Sequence, residues 1–141
     1  MAGSMVDTGI PAFFWKQVAG NAPFENGQSI VLICLYTIIG SQLVGNVAVI
    51  LMAEGEVSDL DDNTQRFGWL LLSWVSTVAG NFTLAGSAAN IIVAEKASRH
   101  PTARTDIASD DHFRVMGLLT ILCITLGVFI LYGEAVLLGY V

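Results

Sequence analysis

The chain has 141 residues, of which 54% are hydrophobic and only 13% charged, with a formal net charge of −6. Soluble domains carry about 25% charged residues, so a wetted globular surface is excluded. The acidic balance, with a pI near 4.5, excludes the basic footprint of a nucleic-acid binder. Residues 26–53, 67–94 and 115–133 contain no charged side chain, so all six Lys/Arg and all twelve Asp/Glu lie outside those runs. A membrane crossing needs about 20 mostly apolar residues, and each run is long enough. The expectation is an all-α polytopic membrane protein.

In chain order, segment 1–27 is mixed, with Pro11, Pro23 and the aromatic triplet Phe13-Phe14-Trp15. It reads as an interfacial lead-in, because Trp sits well at headgroup level. The apolar stretch before Lys16 is too short for a cleavable signal. The run 26–53 is 28 residues long, about 42 Å as one helix against about 30 Å of hydrocarbon. It is interrupted by Gly40-Ser41-Gln42-Leu43-Val44-Gly45-Asn46-Val47. Segment 54–66 sets Glu54, Glu56, Asp59, Asp61 and Asp62 against Arg66 and reads as a solvated acidic loop.

Segment 67–97 carries a second interruption, Gly80-Asn81-Phe82-Thr83-Leu84-Ala85-Gly86-Ser87-Ala88-Ala89-Asn90. Residues 95–114 hold Lys96, Arg99, Arg104 and Arg114, four of the six basic residues. Lys/Arg excess marks the cytoplasmic side, so the basic loop 98–114 is expected inside and the acidic loop outside. Segment 115–138 then crosses outward and leaves the C-terminus outside, with Glu134 near the interface. His100 and His112 are expected as exposed loop residues, since their spacing fits no zinc motif and no pair on one helix face. Cys34 and Cys123 lie in apolar runs without ligand spacing and are read as small core residues.

The interruptions admit two readings. Backbone that leaves the helix at membrane depth must be buried in protein or line a wet cavity. Transporters use such breaks, aiming half-helix N-termini at a polar solute and unwound carbonyls at a coupling cation. Asn and Ser offer donors and acceptors without charge, and Gly permits turns at positive φ. The other reading is close helix packing, through Ser76-xxx-Gly80 and the smooth surface Gly86-Ser87-Ala88-Ala89. It makes the chain a non-transporting interaction protein, or a degenerate half-transporter that docks partner helices. No Ser/His/Asp set, phosphate loop or intramembrane carboxylate pair is present, so an enzyme is not expected.

The stretch from Trp69-Leu70-Leu71-Leu72-Ser73-Trp74 through Gly80-Asn81, Thr83-Leu84 and Gly86-Ser87-Ala88-Ala89-Asn90 to Glu95 resembles a signature of the arsenite permease branch of the ion transporter superfamily. Within that branch it is most similar to the silicon efflux transporters of plants and algae. Thr8-Gly9-Ile10-Pro11 and Trp15 echo the preceding stretch of the same proteins. The resemblance implies a second inverted repeat, with a re-entrant helical hairpin at 28–53, a broken transmembrane helix at 67–97 and a C-terminal helix at 115–138. Carried over, Gly45, Asn46 and Val47 form the hairpin tip. Gly80, Asn81, Thr83, Gly86, Ser87, Ala88 and Asn90 form the second break. The tip departs from the family at Gly45 and Ala48, where relatives carry Ser and Pro.

The implied function is secondary active efflux of a small oxyanion or weak acid of the arsenite or silicic acid type. No cofactor is called for beyond a coupling H⁺ or Na⁺, and no metal. The implied partners are the lipid bilayer, the solute, further copies of the chain, and a first repeat supplied by the same or a companion chain. The implied location is the plasma membrane.

Overall fold

The computed structural model describes residues 9–20, 24, 26–101 and 106–139. Thr8, Pro23 and Arg104, which entered the readings above, lie outside them. Among the described residues every regular element is helical and no strand occurs. Helix α1, Ile10–Ala19, has Pro in its first turn, where the fixed φ suits the helix and no N–H is missed. Helix α2, Gly27–Val44, buries Ile30, Ile33, Cys34, Thr37 and Ser41 along one stripe. It stops at Gly45, whose φ of 90° and ψ of 157° fall where essentially only glycine is tolerated.

Helix α3, Asn46–Ser58, starts at the next residue. The chain folds back there. A Cβ on Gly40 would lie 2.6 Å from Val49 Cγ2, whereas nine residues of straight helix would separate them by about 13.5 Å. The stripe Val49, Ala53 and Val57 faces inward.

The acidic loop expected over 54–66 shortens to Asp59, Leu60 and Asp61, because helix claims both flanks. Glu54 and Glu56 ride on α3, and helix α4, Asp62–Ala79, opens on an acid, which the positive helix start favours. The Asp61 carboxylate caps α4 by accepting the Thr64 N–H at 3.2 Å, and Gln65 donates across the turn to the Ser58 carbonyl at 3.1 Å. Capping by Thr64, through its backbone N–H first and its side chain second, holds the Asp61 carboxyl below its ordinary value.

Helix α4 buries Phe67, Gly68, Leu71, Leu72, Val75, Ser76 and Ala79 at helical spacing. The chain then leaves the α-helix over 80–87, with a short 3₁₀ turn at Leu84–Gly86, and resumes as helix α5, Ala88–Ser98. The basic loop expected over 98–114 also ends early. Helix α6, Ser109–His112, runs through a π-helical turn, Phe113–Gly117, into helix α7, Leu118–Leu138. Gly139, in the left-handed region, ends α7 as a glycine past a helix end commonly does.

Helix α4 packs against α2, α3 and α7. Phe67 meets Tyr132 at 6.4 Å between ring centroids, and Trp74 lies against Gly127, so α4 and α7 are antiparallel. Phe24 meets Phe67 edge to face at 5.9 Å, and Val57 and Phe24 both crowd Gly68. The start of α2, the end of α3, the start of α4 and the end of α7 therefore share one level. Trp15 is not an interfacial anchor: it is 3% exposed, packed on Phe24 and Tyr36. Phe13 and Phe14 are exposed instead.

Among the described residues, two helical runs, Gly27–Val44 and Ser109–Leu138, are long and apolar enough to cross a membrane. A soluble core helix would bury that surface. Here Phe129 is 72% and Leu137 88% exposed, which requires an apolar surrounding.

Candidate functional site

A helix that ends within a protein leaves its last carbonyls without intrahelical partners. At the end of α4, side chains supply them. The Ala79 carbonyl accepts the Phe82 N–H at 2.9 Å and the Gln42 Nε2 amide at 2.6 Å. The Gly80 carbonyl accepts Asn90 Nδ2 at 3.3 Å. The Asn81 carbonyl lies 3.2 Å from His112 Nε2, which must donate because a carbonyl can only accept. One position on, Phe82 and Phe113 meet edge to face at 5.2 Å. The break is thus level with the first turns of the 109–138 helix and not with its middle.

Gln42 reaches further. Its Oε1 accepts the Thr83 hydroxyl at 2.7 Å while its Nε2 donates to Ala79. A Cβ on Gly86 would collide with that same Oε1 and lie 2.9 Å from the Gly80 carbonyl. A Cβ on Gly80 would lie 3.1 Å from Asn46 Nδ2. Gly80 has an ordinary helical φ of −57°, and Gly86 has no positive φ. Positive-φ turns, expected of these glycines, are therefore not what they provide. They leave room for the amides of Asn46 and Gln42, and Gly45 alone of the three has a positive φ.

The hairpin tip and the break form the two walls of an open cleft of about 480 Å³. Of the ten residues singled out in the sequence, Gly45, Asn46, Val47, Gly86, Ser87 and Ala88 line it. Gly80, Asn81, Thr83 and Asn90 do not; they form the hydrogen-bonded support behind the break. Helix α3 begins at one wall and α5 at the other, and neither first turn receives a side-chain cap. Free N–H groups and positive dipole ends from two helices therefore border one cleft.

Two contributing residues were not read from the sequence as site residues. Gln42 stood in the quoted interruption, and its place one residue from Ser41 and three from Gly45 was the available signal. His112 was expected as an exposed loop residue. It is half-buried on a helical turn, because the C-terminal helix starts at Ser109 and carries it onto the break. Ser41 is buried, and its Oγ has no hydrogen-bond partner among the described residues.

No family model and no solved structure matches the chain. Among curated proteins it is 34% identical over 122 residues to the silicon efflux transporter LSI3 of Oryza sativa subsp. japonica, covering 84% of this chain and 25% of that protein. It is 39% identical over 75 residues to the putative transporter arsB of Dictyostelium discoideum, covering 53% of this chain and 13% of that one. The chain thus spans a quarter or less of the length of these relatives. Set on a membrane-type chain whose described residues form only helical elements, the two matches relate this protein to the anion transporters of the arsenite permease type.

Proposed function

We propose that this chain is the C-terminal part of a secondary active transporter that exports a small oxyanion or weak acid of the arsenite or silicic acid type, driven by an H⁺ or Na⁺ gradient. The observation that carries the reading is the convergence of two uncapped helix N-termini, those of α3 and α5, on one cleft between hairpin tip and break. Such ends favour oxygen-rich solutes through N–H groups and the helix dipole. Asn46 and Ser87 add side-chain donors and acceptors on opposite walls. The hairpin is re-entrant in this reading, and α3 supports that: its 13 residues span about 20 Å, too short to cross alone.

The ends of the hairpin, the start of α4 and the end of α7 lie outside, and the basic residues around the start of the 109–138 helix lie inside, at the plasma membrane. Their shared level and the Lys/Arg excess support this orientation. Leu43 and Val47, 78% and 72% exposed at the tip, favour a covering first repeat from the same or a companion chain. The test is arsenite and silicic acid efflux from proteoliposomes holding the full-length protein. Asn46→Ala should lower flux about tenfold, the loss that one or two solute hydrogen bonds supports, and Ala88→Leu, which fills the cleft, should lower it as well, both with insertion intact. Wild-type flux in both would sink the assignment.

A further inference from the structure

We propose that Gln42 is a positioning residue, a brace whose carboxamide joins the hairpin to both sides of the break and sets the separation of the two cleft walls. The inference rests on the transport reading only for its effect on solute; the brace itself stands on geometry. Gln42 sits on α2 three residues ahead of the tip at Gly45, which opens one wall. Its partners lie 37 and 41 residues away, on the last residue of α4 and inside the break. Both ends of the amide are used. Only NH₂ can donate to the Ala79 carbonyl, so the oxygen faces the Thr83 hydroxyl, and the network fixes the orientation of the amide. The oxygen also lies in the space that a Cβ on Gly86 would take, and Gly86 belongs to the opposite wall.

The brace meets a local need as well. Phe82 N–H and Gln42 share the Ala79 carbonyl, and Gly86 N–H bonds to the carbonyl of Thr83, whose hydroxyl Gln42 holds. Without Gln42, the Leu84–Gly86 turn loses its tie to the hairpin, and the break is held by its local bonds and by Asn90 and His112 at Gly80 and Asn81. Methionine at position 42 would keep the length and most of the volume but could neither donate nor accept well. It therefore separates bracing from space-filling.

The experiment is hydrogen exchange at the Phe82 and Gly86 amides of the full-length protein in lipid nanodiscs, with arsenite efflux alongside. Thr83→Val should raise exchange about tenfold, the ratio one hydrogen bond of ordinary net strength supports, and Gln42→Met, which also removes the bond to Ala79, should raise it at least as much. The double variant should exchange no faster than the quicker single, since both remove one shared bond. Thr83→Ser, which keeps the hydroxyl, should stay protected. Exchange at the wild-type level in Gln42→Met, or factors that multiply in the double variant, would overturn the brace. If Gln42→Met does not assemble, Thr83→Val removes the same bond from the other side and decides by the same criterion. In flux, Gln42→Met should raise KM about tenfold with Vmax within about twofold, on the same hydrogen-bond scale; an unchanged KM would overturn the effect on wall separation. A wild-type protein that moves neither arsenite nor silicic acid would refute the transport reading, leaving the exchange data to decide the brace.

Discussion

Gly127 offers the sharpest test of how α4 and α7 pack. It is buried mid-way along α7 in the stripe Thr120, Ile124, Gly127 and Ala135, and the Trp74 indole lies directly over it. A Cβ added at 127 would collide with Nε1 and Cε2 and lie 2.8 Å from Cδ1 of that ring. These are atoms of a rigid ring and not the end of a flexible chain, so either the helices separate or the indole swings away. Overpacking of this kind costs about 1–3 kcal/mol. The indole route is open because Trp74 is already 41% exposed. Lipid gives helix association no hydrophobic reward, so that route forfeits dispersion contacts worth about 0.1–0.2 kcal/mol each. A dozen of them amount to about 1–2 kcal/mol, and the cheaper route sets the cost. Gly127→Ala should therefore lower the apparent midpoint of heat inactivation by a few degrees, read as the folded fraction remaining by size-exclusion after heating in detergent. In a Trp74→Ala background the obstacle is gone, and the same change should be neutral to stabilising by up to about 1 kcal/mol, the helix preference of Ala over Gly. An unchanged midpoint for Gly127→Ala alone, or an equal drop in both backgrounds, would refute the packing argument.

Gly45→Ser should destabilise the hairpin by about 1–3 kcal/mol because φ is +90° there, read as the same heat-inactivation midpoint; a neutral result would mean the tip backbone is not fixed as described. For Asp61, the folded carboxyl titrates below the ordinary carboxylate value because the Thr64 cap favours its charged form. Its cap therefore stabilises α4 at higher pH and is lost as pH falls through that range and below. Helicity near the α3–α4 turn should drop on acidification in the wild type, and Asp61→Asn, still a good cap, should flatten that dependence. His112→Ala should free the Asn81 carbonyl at a cost of about 0.5–1.5 kcal/mol, one net hydrogen bond; exchange at neighbouring amides equal to wild type would show that the contact holds nothing.

The membrane class and the two interruptions were legible from local pattern. Charge-free runs report the solvent that a segment must face, and glycine with small polar residues inside such a run marks where a helix ends. The fold-back at Gly45 and the break at 80–87 fall within those marks, and six of the ten marked residues share one cleft. The remainder was decided by contacts between distant parts of the chain. Trp15 looks like a headgroup anchor until α1 is packed against α2, and His112 like a loop residue until the C-terminal helix begins at Ser109. Gly127 resembles any other glycine until Trp74, 53 positions earlier, lies on it. Gln42 is one polar residue in an apolar run, and no spacing within α2 reveals that Ala79 and Thr83 need its amide. Periodicity and composition record what each residue requires of its surroundings. Which partner meets that requirement depends on how the helices are laid side by side, and only the tertiary structure decides it.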